Sequence, residues 1–288
     1  GKIYDPRTCA RVQGRRICQE QIAFLLYSYY DLLWRSTGKA FYIGIKNIIA
    51  YSVALRMEQD GRLKHGCWTD QMETHFRYEA DALRLLLRHY RNHPSETIRK
   101  SCHQIANFVQ EHTDPLADKM LWFLHDSLEN SNATEQGYRR LLESTTFGKD
   151  PRNTLTLNTH LNSILAIAEY SEVFESETSR KKLHRAIEAL HPLLKPNHGE
   201  TPMAAWVVCA IRRMLSGRCT TLLTELLLRV KRRNPVLVMP NGALERDLSV
   251  SAFSDRYHMV NLNDLLTCMA PLDLPWVRQV INQAFEYM

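Results

Sequence analysis

The first chemically rich stretch of the chain is HGCWTDQMETHFRYEADALRLLL, residues 65–87. It places imidazole, carboxylate, indole and guanidinium groups in front of a leucine-rich run that is typical of an amphipathic helix. Carboxylates and imidazoles can exchange protons with a substrate, and a guanidinium can bind a carboxylate. The candidate catalytic residues in this stretch are Asp70 and Glu73, and the candidate binding residues are His65, Trp68, His75 and Arg77.

Part of this stretch also has a simpler structural explanation. Thr69 or Asp70 fits a helix N-cap, and Glu73 then completes a capping box. Glu73 and Arg77 are spaced four residues apart, as in surface ion pairs that stabilise a helix only slightly. Both interpretations stay open, because a capping residue can also bind a ligand.

The segment DRYHMVNLND, residues 255–264, combines an acid, a base, a phenol and amides within ten residues. Tyr257 and His258 are the candidate catalytic acid and base, and Arg256 is the candidate partner of a substrate carboxylate. Asn261 either caps the helix that starts here or binds substrate.

A third polar helix start is TLNTHLNSIL, which contains Asn158 and His160 beside an apolar stripe. Polar groups at a buried face must be paired, either within the protein or with a ligand, so both residues are candidate substrate contacts. The segment WFLHDSLE, residues 122–129, is a further candidate, since Trp122 either stacks on a sugar or packs in the core. A fourth polar helix start is NHGETPMAAW, residues 197–206.

The elements that must position these residues are predominantly helical. Apolar residues recur every three or four positions, and turn-forming segments such as NHPSE and GKDPRN separate the periodic stretches. The predicted helices begin near residues 21, 41, 79, 98, 118, 134, 155, 179, 201, 219, 259 and 274. Residues 235–253 are predicted as the one β-hairpin, with PNG at its turn.

Twelve helices joined by short loops predict an all-α fold of six helical hairpins closed into a ring, the (α/α)6 toroid. A helical-repeat solenoid is the rival, but the sequence shows no fixed-period repeat. No linker-like tract divides the chain, so a single domain over residues 1–288 is expected. In a toroid the inner helices share one rim, which would bring the four polar helix starts together where helix N-termini favour an anionic ligand.

The bulk composition narrows the classes of partner. The net charge of +6 suits an anionic ligand, while the basic residues lack the dense stripe of a nucleic-acid site. The seven cysteines are scattered and odd in number, which predicts free thiols and a cytoplasmic protein. No apolar run is long enough to span a membrane, and neither a metal nor a cofactor is expected. The oligomeric state stays open.

The segments DRYHMVNLNDLL and TLNTHLNSILAIAEY, set in helical hairpins, resemble the helical domain of glucuronyl 5-epimerases and, more distantly, toroidal polysaccharide lyases. The resemblance covers about thirty residues. It implies that Tyr257 and His258, with Asn158, serve an acidic sugar, such as one in a bacterial cell-surface polysaccharide.

The resemblance implies abstraction of the proton on the sugar carbon next to the carboxylate, with Arg77 or Arg256 neutralising the charge that develops. An epimerase returns a proton to the opposite face, whereas a lyase expels the oxygen at carbon 4. A glycoside hydrolase using two carboxylates, drawn from Asp70, Glu73 and Asp255, is one alternative. A non-catalytic scaffold that binds a glycan or a protein is the other.

Overall fold

The computed structural model describes residues 11–12, 15–16, 20–63, 74–130, 146–194, 237–238, 242–248 and 255–287. These residues are mainly helical, which confirms the all-α prediction. The α-helices of this described part are α1 Glu20–Thr37, α2 Ala40–Ala54, α3 Phe76–Asn92, α4 Glu96–Glu111, α5 Leu157–Val173, α6 Glu177–Leu194, α7 Asp255–Leu272 and α8 Val277–Tyr287.

The observed helices follow the apolar periodicity of the sequence. In α3 and α4 the three- and four-residue spacings place Leu83, Leu86, Ile98 and Ile105 in the core. Ser95 caps α4, since its hydroxyl accepts a hydrogen bond from the Ile98 amide at 3.3 Å. Eight of the predicted starts match described helices to within a few residues. The predicted starts near residues 134, 201 and 219 lie outside the described residues.

The predicted helix near residue 118 is wrong. The chain forms a two-stranded sheet there, from β3 Thr113–Pro115 and β4 Leu121–Phe123, joined through a short 3-10 turn. Asp118 and Lys119 adopt positive φ angles of 54° and 63°, which an α-helix does not accommodate. Near the N-terminus, β1 Arg11–Val12 pairs antiparallel with β2 Arg15–Arg16.

The hairpin predicted within residues 235–253 is present where the structure describes it. Val238 and Leu244 form an antiparallel bridge, and the Glu245 amide donates to the Leu237 carbonyl at 2.9 Å. Gly242 lies in the turn with φ of +82°. A Cβ atom at this position would lie 1.9 Å from the Gln283 carbonyl oxygen of α8, so only glycine fits here.

The chain divides into two compact units. The first contains residues 1–113, 125–130 and 162–183, and the second contains residues 114–124, 131–161 and 184–288. In the first unit α1 packs on α2 and α3 packs on α4, and in the second α7 packs on α8, so these pairs form helical hairpins. The single domain, and the closure of the hairpins into a ring, stay predictions.

The described helices include none that is both long and apolar enough to cross a lipid bilayer. Cys102 and Cys268 are free thiols, and both are buried. The other five cysteines lie outside the described residues.

Candidate functional site

The start of α3 is anchored by a short antiparallel contact in the first unit. His75 and Asp126 form a β-bridge, the Phe76 amide donates to the His125 carbonyl at 3.0 Å, and the Ser127 amide donates to the Thr74 carbonyl at 2.9 Å. This pairing holds two segments that are far apart in the sequence against each other. It places two imidazoles side by side at the N-terminal end of a helix.

The side chains of this region form a group of touching rings. The His75 and His125 rings meet edge to face with centroids 4.4 Å apart. Tyr78 stacks on His75 with centroids 4.5 Å apart and planes inclined by 21°. Together with Arg77, these residues form the α3-start cluster: His75, Arg77, Tyr78 and His125. Both imidazoles are buried, whereas Arg77 and Tyr78 are half-buried.

The observed N-cap of α3 differs from the expected Thr69 or Asp70. His75 is the N-cap of α3, with extended backbone angles of φ −104° and ψ 106°, rather than a residue within a helix that begins earlier. Its side chain makes no capping hydrogen bond. The candidates His65, Trp68, Asp70 and Glu73 lie outside the described residues, as does the helix start at 197–206, so their roles stay predictions.

A buried polar network lies along α3 behind the α3-start cluster. Asn162 of α5 donates to the Arg77 carbonyl at 3.0 Å and to the Asp81 carboxylate at 2.9 Å. Arg84 donates to Asn162 at 3.0 Å and to Glu169 at 2.9 Å. Buried hydrogen-bond networks of this kind hold helices in one register, and the bond from Asn162 fixes the main chain at Arg77.

His160 has a structural environment in the second unit. Its ring stacks on Trp122 with centroids 3.6 Å apart and an inclination of 4°. Its Nδ1 accepts from the Phe123 amide at 3.0 Å, and its Nε2 donates to the Ala186 carbonyl at 3.0 Å. Burial lowers the pKa of His160 to about 3, although the bond to Ala186 opposes the shift. His160 and Trp122 therefore bind each other and nearby main-chain groups within the second unit, and their contact with a substrate stays a prediction.

A second group of polar side chains gathers at the start of α7. The Leu248 amide donates to Thr154 at 3.0 Å and the Leu157 amide donates to Arg246 at 2.9 Å, which ties residues 246–248 to the start of α5. Arg246 pairs with the fully buried Asp247. The same guanidinium lies 5.2 Å from the centroid of the Tyr257 ring. We call Arg246, Asp247 and Tyr257 the α7-start cluster.

The electrostatics of the α7-start cluster favour a permanent positive charge on Arg246. Burial alone would lower the pKa of this guanidinium, but the Asp247 carboxylate and a hydrogen bond with Tyr257 raise it above its ordinary value. Tyr257 is half-buried. A cation is thus held against a phenol, which is an arrangement that can bind a carboxylate or steer a proton.

The other predicted residues of α5 and α7 occupy different surroundings. His258 is buried, its Nδ1 accepts from the Leu244 amide at 2.9 Å, and its ring packs on Tyr287. Asn261 donates to the Glu245 carbonyl at 2.7 Å. Both side chains therefore secure the hairpin segment to α7. Asn158 is buried in the first turn of α5 and Arg256 is exposed, and their contacts with substrate stay predictions.

Several residues that the structure brings together were not predicted individually. His125 lies in the segment 122–129, which was selected for Trp122, and Arg246 and Asp247 follow the predicted turn. The signals in the sequence were His125–Asp126 after an apolar run and the charged triplet ERD after PNG. Among the described residues, no group of three or more His, Cys, Asp or Glu side chains is arranged to hold a metal ion.

No protein-family model and no curated protein sequence matches the chain. Its backbone is similar to that of a sugar epimerase from a ruminal bacterium, at 12% identity and a TM-score of 0.46, over 93% of this chain and 74% of that one. It is also similar to the cellobiose 2-epimerase of Bacillus thermoamylovorans, at 12% identity and a TM-score of 0.47, over 94% of this chain and 75% of that one. A third similar structure is an unsaturated glucuronyl hydrolase specific for heparin, at 12% identity and a TM-score of 0.48, over 89% of this chain and 76% of that one. Likenesses at this level carry no functional conclusion.

Proposed function

We propose that the protein is carbohydrate-active and that the α3-start cluster moves a proton on an acidic sugar. The observation that supports this most directly is the contact between the His75 and His125 rings, whose centroids are 4.4 Å apart. Imidazole titrates near neutral pH and is the commonest general acid or base in enzymes. Two of them in contact can supply a base and an acid to one substrate.

The proposed step conserves protons and electrons. A neutral imidazole of the pair takes the proton from the sugar carbon next to the carboxylate, and the electron pair of that C–H bond moves into the carboxylate to give an enediolate. The other imidazole, which contacts the first and so serves the same side of the sugar, donates a hydrogen bond to the enediolate in its protonated form. Solvent then delivers a proton to the opposite face of the same carbon, and the first imidazole returns its proton to solvent. The result is epimerisation. In a lyase the electron pair would instead expel the oxygen at carbon 4.

Arg77 has the chemistry to stabilise the enediolate. A guanidinium next to developing negative charge lowers the barrier, because the charge interacts more strongly with it in the transition state than in the substrate. The residue follows directly after the Phe76 amide that pairs with His125, and its carbonyl is held by Asn162. Tyr78 stacks on His75 and acts as a positioning residue for that ring.

The α7-start cluster is the second candidate for the same chemistry, favoured by the contact of Tyr257 with Arg246. In that version the Tyr257 phenol transfers the proton and the guanidinium binds the sugar carboxylate. His258 is not its partner in this proposal, because neighbouring residues on a helix do not face each other and its Nδ1 is bonded to Leu244. Hydrolysis by two carboxylates, drawn from Asp70, Glu73 and Asp255, stays the alternative reaction.

Activity assays on glucuronate- and galacturonate-containing oligosaccharides can distinguish the two candidates. His75→Ala and His125→Ala should each lower turnover by about a hundredfold, which is the usual loss for a general acid or base. Tyr257→Phe should then have a small effect. The control is His184→Ala, because that side chain is 76% exposed.

Binding measured by calorimetry on the same variants completes the test. Unchanged binding with lost turnover supports a catalytic role for the imidazole pair. If Tyr257→Phe alone lowers turnover, the second candidate replaces the first. A wild-type protein that binds the oligosaccharides without converting them would be a glycan-binding scaffold. If the wild-type protein neither binds nor converts these oligosaccharides, the carbohydrate proposal is ruled out for these sugars.

A further inference from the structure

The described contact between α3 and α5 in the first unit contains one more arginine than glutamate. Arg84 donates to the Glu169 carboxylate at 2.9 Å, and Arg91 donates to the Glu172 carboxylate at 2.9 Å. Arg88 lies between these two arginines on α3. Its Nη2 is 3.9 Å from the Glu169 oxygen that Arg84 already binds. Among the described residues, Arg88 is therefore the arginine of this contact that has no carboxylate of its own.

On its other side, α1 offers Arg88 a hydroxyl group. Arg88 Nη1 donates to the Ser28 hydroxyl oxygen at 3.3 Å. The Asp31 carboxylate lies about one turn further along α1, but it already pairs with Arg35 at 2.7 Å and with the buried Lys46. Within the described part of the chain, the Ser28 hydroxyl proton has no acceptor of its own. A hydroxyl accepts and donates at once, so Ser28 can still donate to a ligand.

The Phe24 ring of α1 contacts two guanidinium groups. The Cζ atoms of Arg84 and Arg88 lie 5.0 Å and 4.5 Å from its centroid. The two arginines are four residues apart on α3, so their Cβ atoms are about 6 Å apart on one side of the helix. Burial lowers the pKa of Arg88, the Glu169 charge opposes this shift, and the Arg84 charge adds to it. Two like charges this close are stabilised by a further negative charge beside them.

The guanidinium of Arg88 is accessible to a ligand. Its side chain is 38% exposed, whereas that of Arg84 is 8% exposed. A guanidinium has five N–H groups, and among the described residues only Ser28 accepts a hydrogen bond from Arg88. Arg88 therefore presents a charge and several hydrogen-bond donors to solvent at the edge of a buried polar network.

We propose that Arg88 and Ser28 bind a carboxylate group, with the Arg84 charge beside it. We call these three residues the Arg88 site. With Glu169 they carry a net positive charge of one, which suits a ligand group with a single negative charge. A planar carboxylate can accept two parallel N–H bonds from one guanidinium, and the Ser28 hydroxyl can donate a third bond. A dianion is less suitable, because Glu169 would repel its second charge.

The Arg88 site is distinct from the α3-start cluster. Arg88 follows Arg77 by 11 residues, which corresponds to about 16 Å along the axis of α3. The carboxylate can belong to a free organic acid or to an acidic residue of a glycan. Binding at the Arg88 site does not require proton transfer by the α3-start cluster, so either proposal can fail without the other.

Nuclear magnetic resonance of the arginine Nε–H groups tests the proposal on the isotope-labelled, full-length protein. Sodium acetate is titrated against sodium chloride at constant ionic strength and about pH 7. The signal that is missing in Arg88→Lys identifies Arg88. In the wild type this signal should shift and saturate, with a Kd of about 1–10 mM, as expected for two or three charge-assisted hydrogen bonds at a partly exposed site.

Variants followed through the neighbouring Arg84 signal measure what each group contributes. Arg88→Gln should weaken acetate binding at least about tenfold, because the charge and the paired donors are lost. Ser28→Ala should weaken it about threefold, since it removes one hydrogen bond and keeps Arg88. The matched control is Arg91→Gln on the same helix, which should leave the affinity unchanged because Arg91 already binds Glu172. Circular dichroism should show that all three variants remain folded.

A galacturonate trisaccharide compared with acetate identifies the source of the carboxylate. Tighter binding of the trisaccharide than of acetate, lost in Arg88→Gln, supports a glycan. Trisaccharide binding no tighter than that of acetate supports a free organic acid.

Three results would overturn the proposal. The first is an Arg88 signal that does not shift and saturate up to about 100 mM acetate, ten times the upper end of the expected Kd. The second is equal weakening by Arg88→Gln and Arg91→Gln, which would show a general effect of charge. The third is tighter binding of hydrogen phosphate than of acetate at about pH 8, which would contradict the preference for a single negative charge.

Discussion

At the scale of single residues, His160 shows how a chemically versatile side chain can become part of the core. Its two ring nitrogens bind the Phe123 amide and the Ala186 carbonyl, and its face covers Trp122. Because burial lowers its pKa from 6.5 to about 3, the folded protein keeps it neutral. The unfolded chain takes up the proton first as the pH falls, so the stability linked to neutral His160 is complete above about pH 6.5 and is lost towards pH 3.

His160→Phe keeps a ring against Trp122 but cannot titrate. At about pH 7.5 the variant should be less stable by about 2–4 kcal/mol, since it leaves the Phe123 amide and the Ala186 carbonyl unbonded. At about pH 5 that difference should shrink by about 2 kcal/mol, because only the wild type then loses stability through His160. Urea denaturation at both pH values measures the change.

The control for this prediction is His184→Ala on the exposed surface. Its difference from wild type should be small at both pH values. A His160→Phe difference that stays constant with pH would contradict the assignment of a neutral buried imidazole.

The types of the reactive residues could be recognised from the sequence, but their surroundings could not. His258 and His160 have the same chemistry as His75, yet main-chain amides far away in the sequence occupy their nitrogens. Which segment covers a side chain is decided by long-range pairing. The bridge between His75 and Asp126 is such a pairing, and no local sequence pattern predicts it.

At the scale of elements, the helices were predictable because their apolar period repeats over about three or more turns. The short sheet within residues 113–123 could not be predicted in this way. Its apolar run Leu121–Phe123 is short, and positive φ angles at Asp118 and Lys119 turn the chain back into a short sheet. Short apolar runs do not distinguish a buried strand from a helix.

Substitution of Gly242 tests how the hairpin segment packs against α8. Gly242→Ala should lower the free energy of unfolding by more than about 3 kcal/mol, since its Cβ would meet the Gln283 carbonyl at 1.9 Å and its φ is +82°. Because Arg246 and Asp247 of the α7-start cluster follow Gly242 closely, and Arg246 contacts the Tyr257 ring, the variant should also disturb the environment of Tyr257. Thermal and urea unfolding measure the first effect.

Gly44→Ala is the matched control. Gly44 lies within α2, and a Cβ there would have open space around it. The substitution should stabilise the protein by about 0.5–1 kcal/mol, because alanine is the better helix former. Equal effects of the two substitutions would show that Gly242 is not packed against α8.

At the scale of the whole molecule, the cysteines report on the redox state of the chain. Cys102 and Cys268 are free and buried, and burial raises the pKa of Cys102 to about 12. In the native protein these two thiols should resist a thiol reagent, whereas in denaturant without reductant all seven cysteines should react. Peptide mapping after labelling identifies each site. A denatured count well below seven would reveal disulfides and contradict the prediction of free thiols.

The two compact units limit what can be joined into one site. The α3-start cluster belongs to the first unit and the α7-start cluster to the second. The convergence of the polar helix starts on one rim therefore stays a prediction. The proton-transfer roles proposed for the two clusters are independent of each other. Proton transfer by the α3-start cluster can therefore be tested without assuming a shared site.

The most direct measurement follows deuterium uptake by uronate oligosaccharides incubated with the protein in D2O. Nuclear magnetic resonance should show deuterium at the carbon next to the carboxylate with wild type, at a rate lowered about a hundredfold in His75→Ala and in His125→Ala but unchanged in His184→Ala. Wild-type protein that binds the sugar without any deuterium uptake, or uptake that both imidazole variants retain in full, would contradict proton transfer by the α3-start cluster.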